Sequence, residues 1–154
     1  MDAFKFEQYC FLRLYAIDLD TAVHTIKVLR RHKRADAQYP LLRDIAVTYA
    51  RPFSGNEGKK INRHHLSTRH VPATMRDLHS ELLRLRKEQF AHTDLKFYRP
   101  NISKFHGELK SRFPMSLKSY DYESLLKKLP EIESLIHAVD DSIQAEMAAY
   151  EASV

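Results

Sequence analysis

Residues 130–150 read PEIESLIHAVDDSIQAEMAAY, and the spacing of their apolar side chains decides the fold class. Ile132, Leu135, Ile136, Val139, Ile143, Met147 and Tyr150 recur at steps of three and four, which places them on one face of an α-helix. That stripe reads as core packing throughout, Met147 and Tyr150 included. The helix is expected over about 122–149, with Pro130 marking a start, a break or a kink.

The same period runs through the rest of the chain. Phe4, Phe6, Tyr9, Phe11, Leu12, Leu14, Tyr15 and Ile17 form a dense apolar segment with no turn residue. Asp18 or Asp20 is placed to cap a second helix bearing Ala22, Val23, Ile26, Val28 and Leu29, so the segment is either two helices or one long bent one. The run Lys27, Arg30, Arg31, Lys33 and Arg34 closes that element, where cations complement the helix dipole. Pro40 suits a first helical turn, and Leu41, Leu42, Ile45, Ala46, Tyr49 and Ala50 then repeat at helical spacing. Residues 53–72 read as a loop, punctuated by Ser54, Gly55, Asn56, Gly58 and Pro72. A connection of that length is long for a compact domain and is either mobile or functional. A further helix is expected from about Ala73 or Thr74 to Phe90. Pro100, Asn101, Gly107 and Pro114 interrupt any long element between 94 and 119. The economical architecture is an all-α antiparallel bundle of four to five helices in one domain, 1–154.

Composition excludes several classes. The chain has 154 residues, 44% of them hydrophobic, enough for a sizeable core and too many for wholesale disorder. Three Gly and six Pro argue against a turn-rich sandwich or barrel. Cys10, the one cysteine, has no internal partner and leaves no multi-cysteine zinc site. No stretch longer than six residues lacks Asp, Glu, Lys and Arg, against the roughly 18 a membrane-spanning helix needs. No secretory signal is visible at Met1-Asp2-Ala3-Phe4-Lys5, so a cytoplasmic protein with no membrane partner is expected.

The net charge of +5 is unevenly divided. From Asp121 onward there are eight acids and two bases, a charge of −6, which leaves +11 on residues 1–120. A basic body favours a polyanion through counterion release, nucleic acid first. The bland reading is that the lysines and arginines solvate helix faces.

Gly55-Asn56-Glu57-Gly58-Lys59-Lys60 invites a phosphate-loop reading and fails it. Two residues, not four, separate the glycines, and no Ser or Thr follows. His64, His65 and His70 lack a neighbouring cysteine or carboxylate and do not read as metal ligands, so no metal or other cofactor is expected. The informative segment is Leu83-Arg84-Leu85-Arg86-Lys87-Glu88-Gln89-Phe90-Ala91-His92-Thr93-Asp94. Arg84 has Glu81 and Glu88 at helical spacing and reads as a surface ion-pair residue. Arg86 has Leu82, Leu83, Gln89 and Phe90 at i±3 and i±4, with no acid among them. It borders the apolar face without a local partner, an uncomfortable place for an unused cation. His79 lies seven residues earlier on the same stripe, and His92 follows near the helix end. An Arg fork and a His that titrates near neutrality suit phosphoryl chemistry on RNA.

On these residues the chain resembles the HEPN superfamily, all-helical domains with an Arg-x4–6-His motif, many of them ribonucleases of toxin–antitoxin and antiviral systems. The match is Arg86-x5-His92. Two other pairs have that spacing, Arg63/His70 and Arg99/His106, but only Arg86/His92 ends a strong helical pattern. Lys87 stands where HEPN nucleases usually carry Asn, Asp or His. Asp94 stands where the extended motif has Tyr, so control by modification of that Tyr is not expected.

The resemblance implies a metal-independent endoribonuclease of a microbial defence or toxin–antitoxin system, with Arg86 and His92 catalytic. His79, Thr93 and Asp94 would support His92 or touch the substrate, and Lys59, Lys60, Arg63 and Arg69 would hold the RNA backbone. It also implies a homodimer that assembles two Arg/His pairs, and an antitoxin partner. The rival reading is a non-catalytic helical module that binds nucleic acid or a partner protein.

Overall fold

The computed structural model describes residues 2–102 and 115–152. The 130–150 stripe lies on a helix, α6 (Leu129–Glu151), and buries Ile132, Leu135, Ile136, Val139, Ile143 and Met147. For this element we also define α1 (Ala3–Leu29), α2 (Ala35–Ala50), α3 (Arg76–Leu85), α4 (Leu95–Tyr98) and α5 (Tyr122–Lys127). Pro130 sits in the first turn of α6, where its missing N–H has no intrahelical partner to lose. It marks both a break and a start, because α5 ends just before it. Asp121 caps α5 by accepting from the Ser124 N–H (3.0 Å) and hydroxyl (2.7 Å).

α1 is one helix of 27 residues, so neither Asp18 nor Asp20 caps a second one. No Gly or Pro interrupts it, and the Asp18 carboxylate instead meets Arg51 of the α2 C-cap at 2.9 Å. The expectation that Pro40 opens α2 is also corrected: the helix starts at Ala35 and holds Pro40 inside. The Arg34 carbonyl accepts from Ala37 (3.1 Å) and Gln38 (3.0 Å), closing a turn ahead of the proline. Pro40 then denies a donor only to the Asp36 carbonyl.

The direction of packing follows from side-chain pairs. Thr25 donates to Asp44 (3.0 Å) while Asp18 meets Arg51, so α1 and α2 run antiparallel. Tyr9 donates to Glu151 (2.6 Å) at one end and Arg30 to Glu133 (3.0 Å) at the other, so α6 is antiparallel to α1. Tyr49 pairs with His79 (2.8 Å) and Arg43 with the Phe90 carbonyl (3.5 Å), which sets α3 and its extension antiparallel to α2. One contiguous core joins these helices, with Tyr15, Leu19, Ile26, Ile45, Tyr49, Leu82, Leu85, Leu125 and Leu135 among its buried members.

The 53–72 connection is packed down along its length. Asn56 and His64 exchange two backbone hydrogen bonds of 2.8 Å, and Ile61, Leu66 and Val71 enter the core. The His64 ring lies flat on Phe11 (4.5 Å between centroids, 2°) and meets the Tyr15 hydroxyl at 2.8 Å. One short antiparallel pair, β1 (Asn101–Ile102) with β2 (Met115–Ser116), departs from the helical pattern. His106, Gly107 and Pro114 lie outside the described residues. Among the described residues no helix is long and apolar enough to cross a membrane.

Candidate functional site

At the end of α3 the backbone widens. Arg86–Phe90 forms a π-turn, in which the Ala91 N–H reaches the Arg86 carbonyl five residues back at 2.9 Å. Widened turns of this kind recur at functional sites because they re-aim side chains without ending the helix. Here the hydrogen bond holds the residue directly before His92 against the backbone of Arg86.

Arg86 is half-buried, and its guanidinium has no ion pair or hydrogen bond among the described residues. Its Nε is enclosed without an acceptor. Among the described residues, the absence of an acid at i±3 and i±4 is therefore not made good by another element. His92 is exposed and likewise has no partner among the described residues. Thr93 is exposed. The Asp94 carboxylate accepts from the Lys96 N–H (3.0 Å) and caps α4. Arg84 meets Glu88 at 3.5 Å, whereas Glu81 turns to Lys128 at 2.7 Å.

His79 occupies the core at 4% exposure. Its Nδ1 lies 2.8 Å from the Tyr49 hydroxyl, and its ring meets Phe53 edge-on at 4.5 Å. Burial lowers the pKa of His79 and raises that of Tyr49, so both are neutral near pH 7. The Tyr49 hydroxyl has no other acceptor among the described residues, so it donates to Nδ1 and the imidazole proton sits on Nε2. That N–H is itself buried without a partner. His79, Arg86 and Gln89 thus form a stripe of three enclosed, unpartnered nitrogens. Each such group costs about 1–3 kcal/mol, and the three are the whole set of this kind among the described residues.

The basic residues of the 53–72 loop are placed elsewhere. The Glu7 carboxylate gathers the backbone N–H groups of Lys59 (2.5 Å), Lys60 (2.8 Å) and Ile61 (2.7 Å). Partial burial alone would raise the Glu7 pKa, but these three hydrogen bonds together hold it below the ordinary value. The Lys59, Lys60 and Arg63 side chains are exposed. Arg63 folds over Gly55, whose missing Cβ makes room: a Cβ there would lie 2.6 Å from the Arg63 Nε. Arg69 is engaged with Glu146 at 2.6 Å, beside the buried His70.

The two groups occupy opposite ends of the bundle. Lys59 and Lys60 sit at the level of Glu7, and the π-turn at the level of Thr25 and Asp44, through Arg43. Those levels are about 27 Å apart along α1 at 1.5 Å per residue. Arg86 opens the π-turn and His92 directly follows the residue that closes it, while the loop cations are not beside this turn within a chain.

Residues the sequence reading did not select flank the π-turn. Arg43 lies with its guanidinium carbon 5.7 Å from the Phe90 ring centre, and Phe90 belongs to a group with Tyr120 and Tyr122. The available signal was aromatic pairs outside any helical stripe, Phe97-Tyr98 and Tyr120-Asp121-Tyr122. No protein-family model matches the chain, and no curated protein or solved structure does so either.

Proposed function

We propose that the chain is a HEPN-like, metal-independent endoribonuclease of a microbial toxin–antitoxin or antiviral system. The observation that carries this reading is Arg86: a half-buried guanidinium on a π-turn, with no partner among the described residues, one turn before an exposed His92. The RNA 2′-hydroxyl is the nucleophile. His92 takes its proton and an imidazolium returns one to the departing 5′-oxygen, giving a 2′,3′-cyclic phosphate and a 5′-hydroxyl. Arg86 stabilises the charge that builds on the phosphorane between these steps.

A homodimer that joins two such turns is part of this reading. An uncovered apolar face on α1, where Phe6, Leu14 and Ile17 are 59%, 56% and 58% exposed at helical spacing, supports the pairing of two copies, with the contact nearer the level of Glu7 than that of the π-turn. The test is incubation of purified protein with RNA, with and without EDTA, followed by analysis of the ends. Cleavage in both conditions with the ends named above is the expected outcome.

One observation favours the second reading, a non-catalytic module that binds nucleic acid or a partner. A general-base histidine is ordinarily oriented by a hydrogen bond, and His92 has none among the described residues, while Asp94 is occupied as a cap. Salt-sensitive RNA binding with no cleavage by the wild-type protein would select it.

A further inference from the structure

Beside the π-turn lies a cavity of about 210 Å³ that the Arg86/His92 reading does not use. Its walls are Gln89, Phe90, Phe97, Tyr98, Tyr120 and Tyr122. Phe90 lies parallel to Tyr122 (5.9 Å, 12°), and Tyr122 is stacked in turn on Tyr39 (4.6 Å, 13°). Tyr120 stands edge-on to both Phe90 and Tyr122, at 87° and 89°. These four rings pack against the core and give the cavity a fixed wall. Phe97 and Tyr98, edge-on to each other at 85°, belong to α4 and lie outside that core group.

Two features separate this cavity from a packing defect between aromatic rings. The first is Gln89, a residue 93% buried that lines the cavity and whose enclosed Nε2 has no hydrogen-bond partner among the described residues. A buried amide donor left unpaired beside a cavity needs only a rotation of its side-chain amide to meet an acceptor held there. The second is charge. Arg43 also lines the cavity, and Lys118 Nζ lies 5.1 Å from the Phe97 ring centre, so cations stand at an aromatic cleft with no carboxylate among the described residues that line it. The volume is below the roughly 300–1,000 Å³ of a site for a drug-sized ligand, which limits the occupant to about one planar heterocycle.

We propose that this cavity is a base pocket for single-stranded RNA. One nucleobase stacks against Phe97, Tyr98 and Tyr120 and accepts a hydrogen bond from the Gln89 amide, while Arg43 and Lys118 face the phosphates on either side. Every base offers a π-face, so stacking supplies affinity, and the single amide donor favours a base with a carbonyl at its edge. The pocket shares the Gln89–Phe90 backbone with the turn that carries Arg86, so a base held there sets which phosphate lies next to Arg86 and His92. The proposal rests on the RNA reading above and extends it to substrate positioning.

The test separates the base from the backbone. Anisotropy titrations of the full chain use a fluorescein-labelled uridine octamer and an abasic octamer of equal charge, both 2′-O-methylated so that neither is cleaved. The expected result is at least about fivefold tighter binding of the uridine octamer, the low end for one stacked base. That advantage is lost in Phe97→Ala, a change outside the core, and reduced in Gln89→Met, which keeps the size and removes the donor. Equal binding of the two octamers, an advantage that survives Phe97→Ala, or no binding of either overturns the pocket. Unmethylated RNA distinguishes the two claims. Cleavage with no base advantage removes the pocket and leaves the ribonuclease. A Phe97-dependent advantage with no cleavage leaves the pocket and removes the ribonuclease.

Discussion

Tyr49 Oη lies 2.8 Å from His79 Nδ1, with both side chains buried between α2 and α3. Burial holds the His79 pKa below its ordinary value. It does the same at His64, and at His70, where Glu146 pulls the other way and is outweighed. On unfolding, each ring returns to a value near 6.5, so between that value and the lower folded one the unfolded chain binds more protons. The stability these histidines contribute is complete above about pH 6.5 and falls as pH drops toward the folded values. The urea midpoint is therefore expected to be lower at pH 5.5 than at pH 7.5. Equal midpoints would show that the three rings are not buried neutral. Tyr49→Phe removes the donor to Nδ1 and is expected to cost about 1–3 kcal/mol at pH 7.5.

Glu7 ties the basic loop to α1 by accepting three successive N–H groups. Glu7→Gln keeps the shape, removes the charge and leaves at most one good acceptor oxygen for three donors. Amide exchange at Lys59, Lys60 and Ile61 is expected to accelerate, with little change in the α6 core. Unchanged protection at those three amides would mean that the loop is held by Ile61, Leu66 and Val71 alone.

How much of this was legible in the sequence depends on the physical signal involved. The α6 stripe was legible because six buried positions over four turns leave one period only. The continuity of α1 was not, since an Asp that can cap a helix can equally sit mid-helix and face Arg51. Pro40 misled for a related reason: proline fits a first turn best, but a turn already closed at Arg34 tolerates it later. Arg86 was recognisable from what its neighbours lack. The π-turn was not, because over five residues an α and a π winding carry the same hydrophobic pattern. The separation of Lys59 and Lys60 from Arg86 depends on how the helices run, which local spacing does not encode. The aromatic pocket joins residue 43 to residues 89–98 and 118–122, and only the tertiary fold brings those together.

The uncovered face of α1 leads to a prediction about assembly. Phe6, Leu14 and Ile17 are large and exposed, and a second copy packed on that face would remove them from water. The full chain is expected to sediment as a dimer, and Leu14→Asp with Ile17→Asp as a monomer with an unchanged helical spectrum, since neither side chain belongs to the core group. If the double variant and the wild-type chain sediment alike, the face is not the interface.

The chemical prediction concerns Arg86 and His92 together. Replacing His92, which is exposed and outside the core, is not expected to affect folding, so a loss of rate in His92→Ala reports on chemistry. That loss is expected to be roughly 100-fold or more if the imidazole moves the proton. Arg86→Ala is expected to lower kcat more than it raises KM, because a guanidinium fork matters most when charge builds on the phosphorane. Arg86→Lys is a sharper probe. A lysine keeps the charge but not the planar fork, so it is expected to recover RNA affinity without recovering most of the rate. Removing Arg86 also removes a cation that is half-buried without a partner among the described residues, so Arg86→Ala is expected to be no less stable than the wild-type chain. Stability held or raised alongside a lost rate is the pattern of a residue kept for function. Stability lost in proportion to rate would instead make Arg86 a structural residue, and wild-type cleavage by both alanine variants would move the chemistry away from this turn.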